Sequence, residues 1–91
     1  MEIRVNILVF NCGSSSLTYK VFGITASKDA KEIISGKAHR VGVKGREPSF
    51  VEHHFQGKVR KDVVPIKNHN QAAILILRYT SRYMKNHPHL R

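Results

Sequence analysis

Residues 10–20 read FNCGSSSLTYK, and this stretch decides how the chain is built. It joins two apolar runs through small residues rich in hydrogen-bonding groups. Upstream, Ile3, Val5, Ile7 and Val9 occupy alternate positions, while the positions between them change from Arg4 and Asn6 to Leu8 and Phe10. That pattern predicts a strand half-exposed at its start and buried on both faces at its end, as a central strand is. Downstream, residues 17–24 predict a second strand with Leu17, Tyr19 and Val21 on one face. A connection this short between neighbouring strands makes them an antiparallel hairpin.

Beyond the hairpin, TASKDA (residues 25–30) is small and polar, hence a loop. Residues 32–43 carry the pairs Ile33–Ile34 and Val41/Val43, interrupted by Gly36 and Gly42, which predicts a third strand with a bend or bulge. KGREP (residues 44–48) is a turn, and residues 49–55 and 58–66 form a second hairpin hinged at Gln56-Gly57. The period then changes. Asn68, with Gln71 three residues on, resembles a capping box. Ala72, Ile76, Tyr79 and Tyr83 follow as an apolar stripe widened by Ala73 and Leu77. Arg78, Arg82 and Lys85 suit the C-terminal end of the helix dipole, and Pro88 lies beyond the expected end. Strands first and one helix last predict an α+β arrangement, the helix packed on one face of a sheet of about five strands.

The length of 91 residues fits one domain over residues 1–91, and an apolar fraction of 41% is compatible with a small core. No apolar run approaches the roughly 18 residues that span a bilayer. Glu2 and Asn6 interrupt the N-terminal apolar stretch, unlike a signal peptide, so the expected location is the cytoplasm. Cys12 is the only cysteine, which excludes an intrachain disulfide and a cysteine-based metal cluster; a small side chain beside a strand end is its plainest reading. The net charge of +10 admits a nucleic-acid surface, attraction of polyanions such as ATP, or a fragment whose acidic complement lies elsewhere. The basic residues are spread from Arg4 to Arg91, which dilutes the nucleic-acid reading.

The turn has chemistry of its own. Gly13 permits backbone angles or close approaches that a Cβ would forbid. Ser14, Ser15 and Ser16 offer hydroxyls and N–H groups to phosphate oxygens, and Asn11 offers an amide oxygen to Mg²⁺ or one of its waters. An ordinary polar hairpin would use the same residue types.

The arrangement adds a resemblance. ILVFNCGSSSLTYKVF, residues 7–22, resembles the N-terminal signature of the acetate kinase family, which includes propionate and butyrate kinases. Residues 35–42, with Ser35-Gly36 and Arg40-Val41-Gly42, look like the family's third strand, and Asn68-His69 with Ala72 and Ala73 looks like the start of its first helix. The resemblance implies an RNase-H-like mixed sheet of the actin-like ATPase superfamily. It implies transfer of the ATP γ-phosphate to a short-chain carboxylate such as acetate, giving ADP and an acyl phosphate. By the same resemblance Asn11 lies near Mg²⁺, Gly13, Ser14, Ser15, Ser16 and Thr18 line the nucleotide phosphates, and the full-length form is a homodimer. The family's ATP-associated Lys falls on Thr18, and Lys20 stands two residues further on the same strand face. Family members are several times longer. Their substrate-binding arginine, an acidic residue near the transferred phosphate and a second nucleotide-binding domain have no counterpart here, and the substrate arginine does not transfer to Arg91. The chain is thus expected to be an N-terminal, truncated form without a catalytic residue of its own and inactive alone. A small basic module that binds nucleotide or nucleic acid is the alternative.

The remaining chemistry-bearing residues read as structural. His53 and His54 are adjacent and point to opposite faces of a strand, a poor geometry for one metal. His87 and His89 flank Pro88 without a third ligand, and His69 follows the helix cap, where it suits a structural role. Lys58, Arg60 and Lys61 could touch nucleic-acid phosphates, but Tyr79 and Tyr83 lie on the apolar stripe and suit the core. Glu2, Asp29, Glu32, Glu47, Glu52 and Asp62 are scattered, and no pair stands out as acid and base.

Overall fold

The structure, a computed structural model, describes residues 3–45 and 47–87, with side chains from residue 5 onward. Pro88, His89 and Arg91 lie outside the described residues. The elements run β1 (Ile3–Cys12), β2 (Ser16–Thr25), β3 (Ala30–His39), β4 (Phe50–Phe55), β5 (Lys58–Val63) and α1 (His69–Asn86). Five strands form one sheet in the order β1-β2-β3-β4-β5, each antiparallel to its sequence neighbour. The α+β class, the leading hairpin and the C-terminal helix match the expectation. The mixed sheet does not: among the described residues every strand follows its neighbour through a turn or loop, and a parallel pair would need a crossover.

Alternation along β2 sets the two faces. Leu17, Tyr19 and Val21 are buried beneath α1, where Ala72, Ile76 and Tyr83 meet Ile34, Ala38 and Val51 from β3 and β4. The opposite face has no helix among the described residues. There Val5, Ile7 and Val9 of β1 remain 52%, 44% and 47% exposed. The apolar pattern that predicted a central strand therefore belongs to an edge strand, because nothing among the described residues covers its outer edge or this face.

The helix starts as its sequence predicts. Asn68 Oδ1 accepts from the Gln71 N–H at 2.8 Å, and Gln71 Oε1 accepts from the Lys67 N–H at 2.7 Å. Its buried stripe differs by one position. Thr80 is buried in place of Tyr79 and satisfies its hydroxyl on the Ile76 carbonyl at 2.9 Å, while Leu77 faces solvent. Tyr79 is half-buried over β4, its ring stacked on His53 with centroids 3.5 Å apart.

His53 ties three strands to the helix. Tyr19, Gly36 and His53 stand in one cross-strand row, and a Cβ on Gly36 would collide with the Tyr19 ring and the Glu52 carbonyl. Without that Cβ, the Tyr19 ring crosses β3 and its hydroxyl reaches His53 Nδ1 at 2.5 Å. Burial, helped by Tyr79, pushes the Tyr19 hydroxyl well above its ordinary range, so it keeps its proton and donates. The Nε2 side of His53 faces Asp62 at 3.6 Å. Burial lowers the His53 pKa to about 4 despite that carboxylate, which pulls it upward. The fully buried imidazole is thus held neutral.

Candidate functional site

Gly13, Ser14 and Ser15 carry the chain from β1 to β2, and the last rung before them pairs Cys12 with Leu17. The Gly13 N–H donates to the Ser16 carbonyl at 2.9 Å. His69, the first residue of α1, brings Nε2 to the Gly13 carbonyl at 2.8 Å and to the Ser16 carbonyl at 3.2 Å. Both partners only accept, so Nε2 carries the proton. Arg40 then enters the left-handed region at φ 57°, and the Val41 N–H donates to the Ser15 carbonyl at 2.9 Å. Three carbonyls of the turn are therefore turned inward onto protein donors. What remains facing out is donor-rich. The Ser14 and Ser15 side chains are exposed, and among the described residues neither their hydroxyls nor their N–H groups have a protein partner. With these carbonyls tied back, the unpartnered N–H groups and hydroxyls make a donor-rich surface suited to an anion.

Gly13 earns its place by close approach, since its φ is not positive. A Cβ there would stand 2.5 Å from Ser16 Oγ and displace that hydroxyl. Asn11 and Thr18 are direct cross-strand partners on the helix-free face, one residue below the turn. Asn11 is exposed rather than lying at a buried strand end, and Thr18 is half-buried. Turn and strand ends thus lie together at one end of the β1–β2 ladder. Lys20 is not part of this group, because it pairs with Glu32 at 3.4 Å.

Two residues join the site that sequence reading did not place there. His69 was read as structural, and it holds the turn across 56 residues of sequence. Its signal was its position directly after the cap. Lys37 stands opposite Thr18 on β3, on the same face, and only the strand register brings it there.

Among the described residues no group of three or more His, Cys, Asp or Glu side chains could hold a metal. Asn11 can offer one neutral oxygen. That suits Mg²⁺ held chiefly by phosphate and water, and does not suit an all-protein cage. Of the other described histidines, His39 on β3 is in register with Ser16 and has its Nε2 3.5 Å from Glu52, whereas His53 lies in the core, His54 is exposed on the opposite face of β4, and His87 is stacked on Tyr83. A cavity lined by Val43, Lys44, Val63, Val64, Pro65 and Lys67 lies between the 42–49 loop and the segment entering α1, and none of the turn residues lines it.

No family model matches the chain. Individual proteins do. The acetate kinase of Clostridium novyi (strain NT) is 37% identical over 73 residues, which take in 80% of this chain and 17% of that protein. The acetate kinase of Thermoanaerobacterium thermosaccharolyticum is 38% identical over 76 residues, again 80% of this chain and 17% of the relative. The chain therefore spans 17% of the length of these curated relatives. Among solved structures, the crystal structure of acetate kinase from Entamoeba histolytica matches with a TM-score of 0.65 and 48% identity, over 87% of this chain and 19% of that one. The antiparallel sheet with its helix thus corresponds to part of an actin-like ATPase fold. In sequence and in fold alike, the chain belongs to the acetate kinase family and matches less than a fifth of the length of these relatives.

Proposed function

We propose that this chain is the nucleotide-facing N-terminal domain of an acetate-kinase-like phosphotransferase, which moves the ATP γ-phosphate to a short-chain carboxylate. The observation that carries this reading is the inward capture of the Gly13, Ser15 and Ser16 carbonyls, which leaves Ser14 and Ser15 to present donors to solvent. Phosphoryl transfer rests on positioning and charge stabilisation, so a fixed donor cradle is a useful part without being sufficient. Gly13 to Ser16 and Thr18 bind the phosphates, and Asn11 orients a water or oxygen toward the cation. Mg²⁺, when it accompanies ATP, neutralises phosphate charge. The carboxylate pocket and the groups that complete the transfer belong to the remainder of the family's longer chain. These 91 residues fold as one domain, bind Mg-ATP and do not turn over alone. A homodimer of the full-length form and a cytoplasmic location belong to the same reading.

The basic strand β5 gives the nucleic-acid alternative little support. Arg60 is engaged by Asp62 at 3.1 Å and lies 5.7 Å from the Tyr79 ring, while Lys61 sits 4.1 Å over Phe50. Calorimetric titration of the purified chain with Mg-ATP and with a short oligonucleotide tests the reading, alongside hydroxylamine trapping of acyl phosphate from ATP and acetate. Saturable Mg-ATP binding without hydroxamate is expected. Binding of the oligonucleotide alone, with a steep loss in salt, would replace this reading with the alternative. Hydroxamate formation would overturn the expected inactivity.

A further inference from the structure

We propose that Lys37 supplies the cationic contact to the nucleotide phosphates at this turn, from β3 rather than from β2. The inference rests on the phosphate-binding reading above and adds a residue and a charge to it. On the open face of β2 the two positions nearest the turn, Ser16 and Thr18, offer hydroxyls and no charge. The next cation on β2, Lys20, stands farther from the turn and is paired with Glu32 at 3.4 Å. Across the ladder, Thr18 is in register with Lys37, and Asn11 with Thr18, so the three form one row over β1, β2 and β3. Directly opposed residues on one face have Cβ atoms about 5 Å apart, so a long side chain on either strand reaches much of the same volume.

The far side of Lys37 does not hold it back. Glu52 is its register partner on β4, yet Glu52 Oε2 is turned to His39 at 3.5 Å and His54 at 3.6 Å. Among the described residues no carboxylate lies within ion-pair distance of the Lys37 ammonium. Lys37 is exposed, so its ammonium is accessible to an anion from solvent. An ammonium acts as a mobile point charge, and its location matters more than a fixed fork geometry. The ligand class is a polyphosphate, the nucleotide's or an inorganic one.

The test moves the charge between the two strands. Binding of Mg-ATP and of inorganic tripolyphosphate is measured calorimetrically for the unaltered chain, Lys37→Gln, Lys20→Gln, and Lys37→Gln combined with Thr18→Lys. Lys37→Gln is expected to weaken both ligands roughly ten-fold or more, as loss of a charge-assisted contact does. Lys20→Gln is expected to stay within about two-fold, since removal of one remote exposed charge changes little. Thr18→Lys is expected to restore most of the loss in the Lys37→Gln background, which a purely structural role of Lys37 would not allow. Equal weakening by Lys37→Gln and Lys20→Gln, or no rescue in a variant with an unchanged melting temperature, overturns the proposal. If tripolyphosphate binds and Mg-ATP does not, the nucleotide reading falls, while the Lys37 contact stands on the rescue with tripolyphosphate. Binding of neither ligand overturns both.

Discussion

Between β4 and β5 the chain reverses through Gln56 and Gly57, with φ of 50° and 73°, and a Cβ on Gly57 would meet no atom within 4 Å. Two left-handed residues match the twist of the flanking strands and close a hairpin without outside help. Between β1 and β2 the same reversal takes Gly13, Ser14 and Ser15, none of them at positive φ. It also draws a bond from α1 through His69 and another from the β3–β4 loop through Val41. Reversal alone needs far less, so the added bonds serve the orientation of the turn. One turn is a connection. The other is a fixed surface on which side chains and N–H groups are aimed outward.

The largest expected effect falls on the hairpin with the simpler turn, because its anchorage lies in the core beneath it. His53 on β4 is neutral in the folded protein down to about pH 4, whereas in the unfolded chain it titrates at its ordinary 6.5. Between these values the unfolded state binds more protons. This contribution is therefore complete above 6.5 and is lost as pH falls toward 4, by up to about 3 kcal/mol. Denaturant midpoints measured near neutrality and near pH 4 check the slope, and His53→Asn should flatten it. Amide exchange that accelerates first at β1–β2 in acid would reverse the proposed difference between the hairpins.

A smaller effect probes the simpler turn itself. Gly57→Ala places a Cβ at φ 73° and should cost about 1–2 kcal/mol, with Mg-ATP affinity unchanged. Thermal unfolding and calorimetry separate the two quantities. If this substitution weakens the ligand as strongly as it weakens the fold, the turns are not functionally distinct. The smallest effect concerns the clamp. His69→Ala removes one bifurcated donor and should cost about 1 kcal/mol, with faster exchange of the amides in residues 13–16. His69→Gln keeps an N–H donor and should restore protection in part; equal exchange in both variants would remove His69 as the clamp.

Much of this difference was legible from local sequence, and the rest was not, for a physical reason. Gln56-Gly57 and Asn68 with Gln71 act through dihedral preference and capping within a few residues, so pattern alone finds them. The Asn11 and Ser14–Ser16 grouping was legible because the hairpin itself assembles it. The edge position of β1 was not, since an apolar strand reads the same whether or not its cover is described. Nor was the Thr18–Lys37 pairing: the β2–β3 ladder shifts register between Val21 and Phe22, and that irregularity sets which residues meet farther along. The exchange of Tyr79 for Thr80 in the buried stripe has a similar origin, because the Tyr79 ring stacks on His53 of β4, a partner that the helix period alone does not reveal.

The two turns report on the central claim in a single spectrum. Mg-ATP is titrated into the isotopically labelled chain while the backbone amides of residues 13–16 and of Gln56 and Gly57 are followed together. Saturable shifts at residues 13–16, with Gln56 and Gly57 unmoved, are the expected result. Shifts that are equal at both turns, or absent from residues 13–16 at a ligand concentration that saturates other sites, would contradict it.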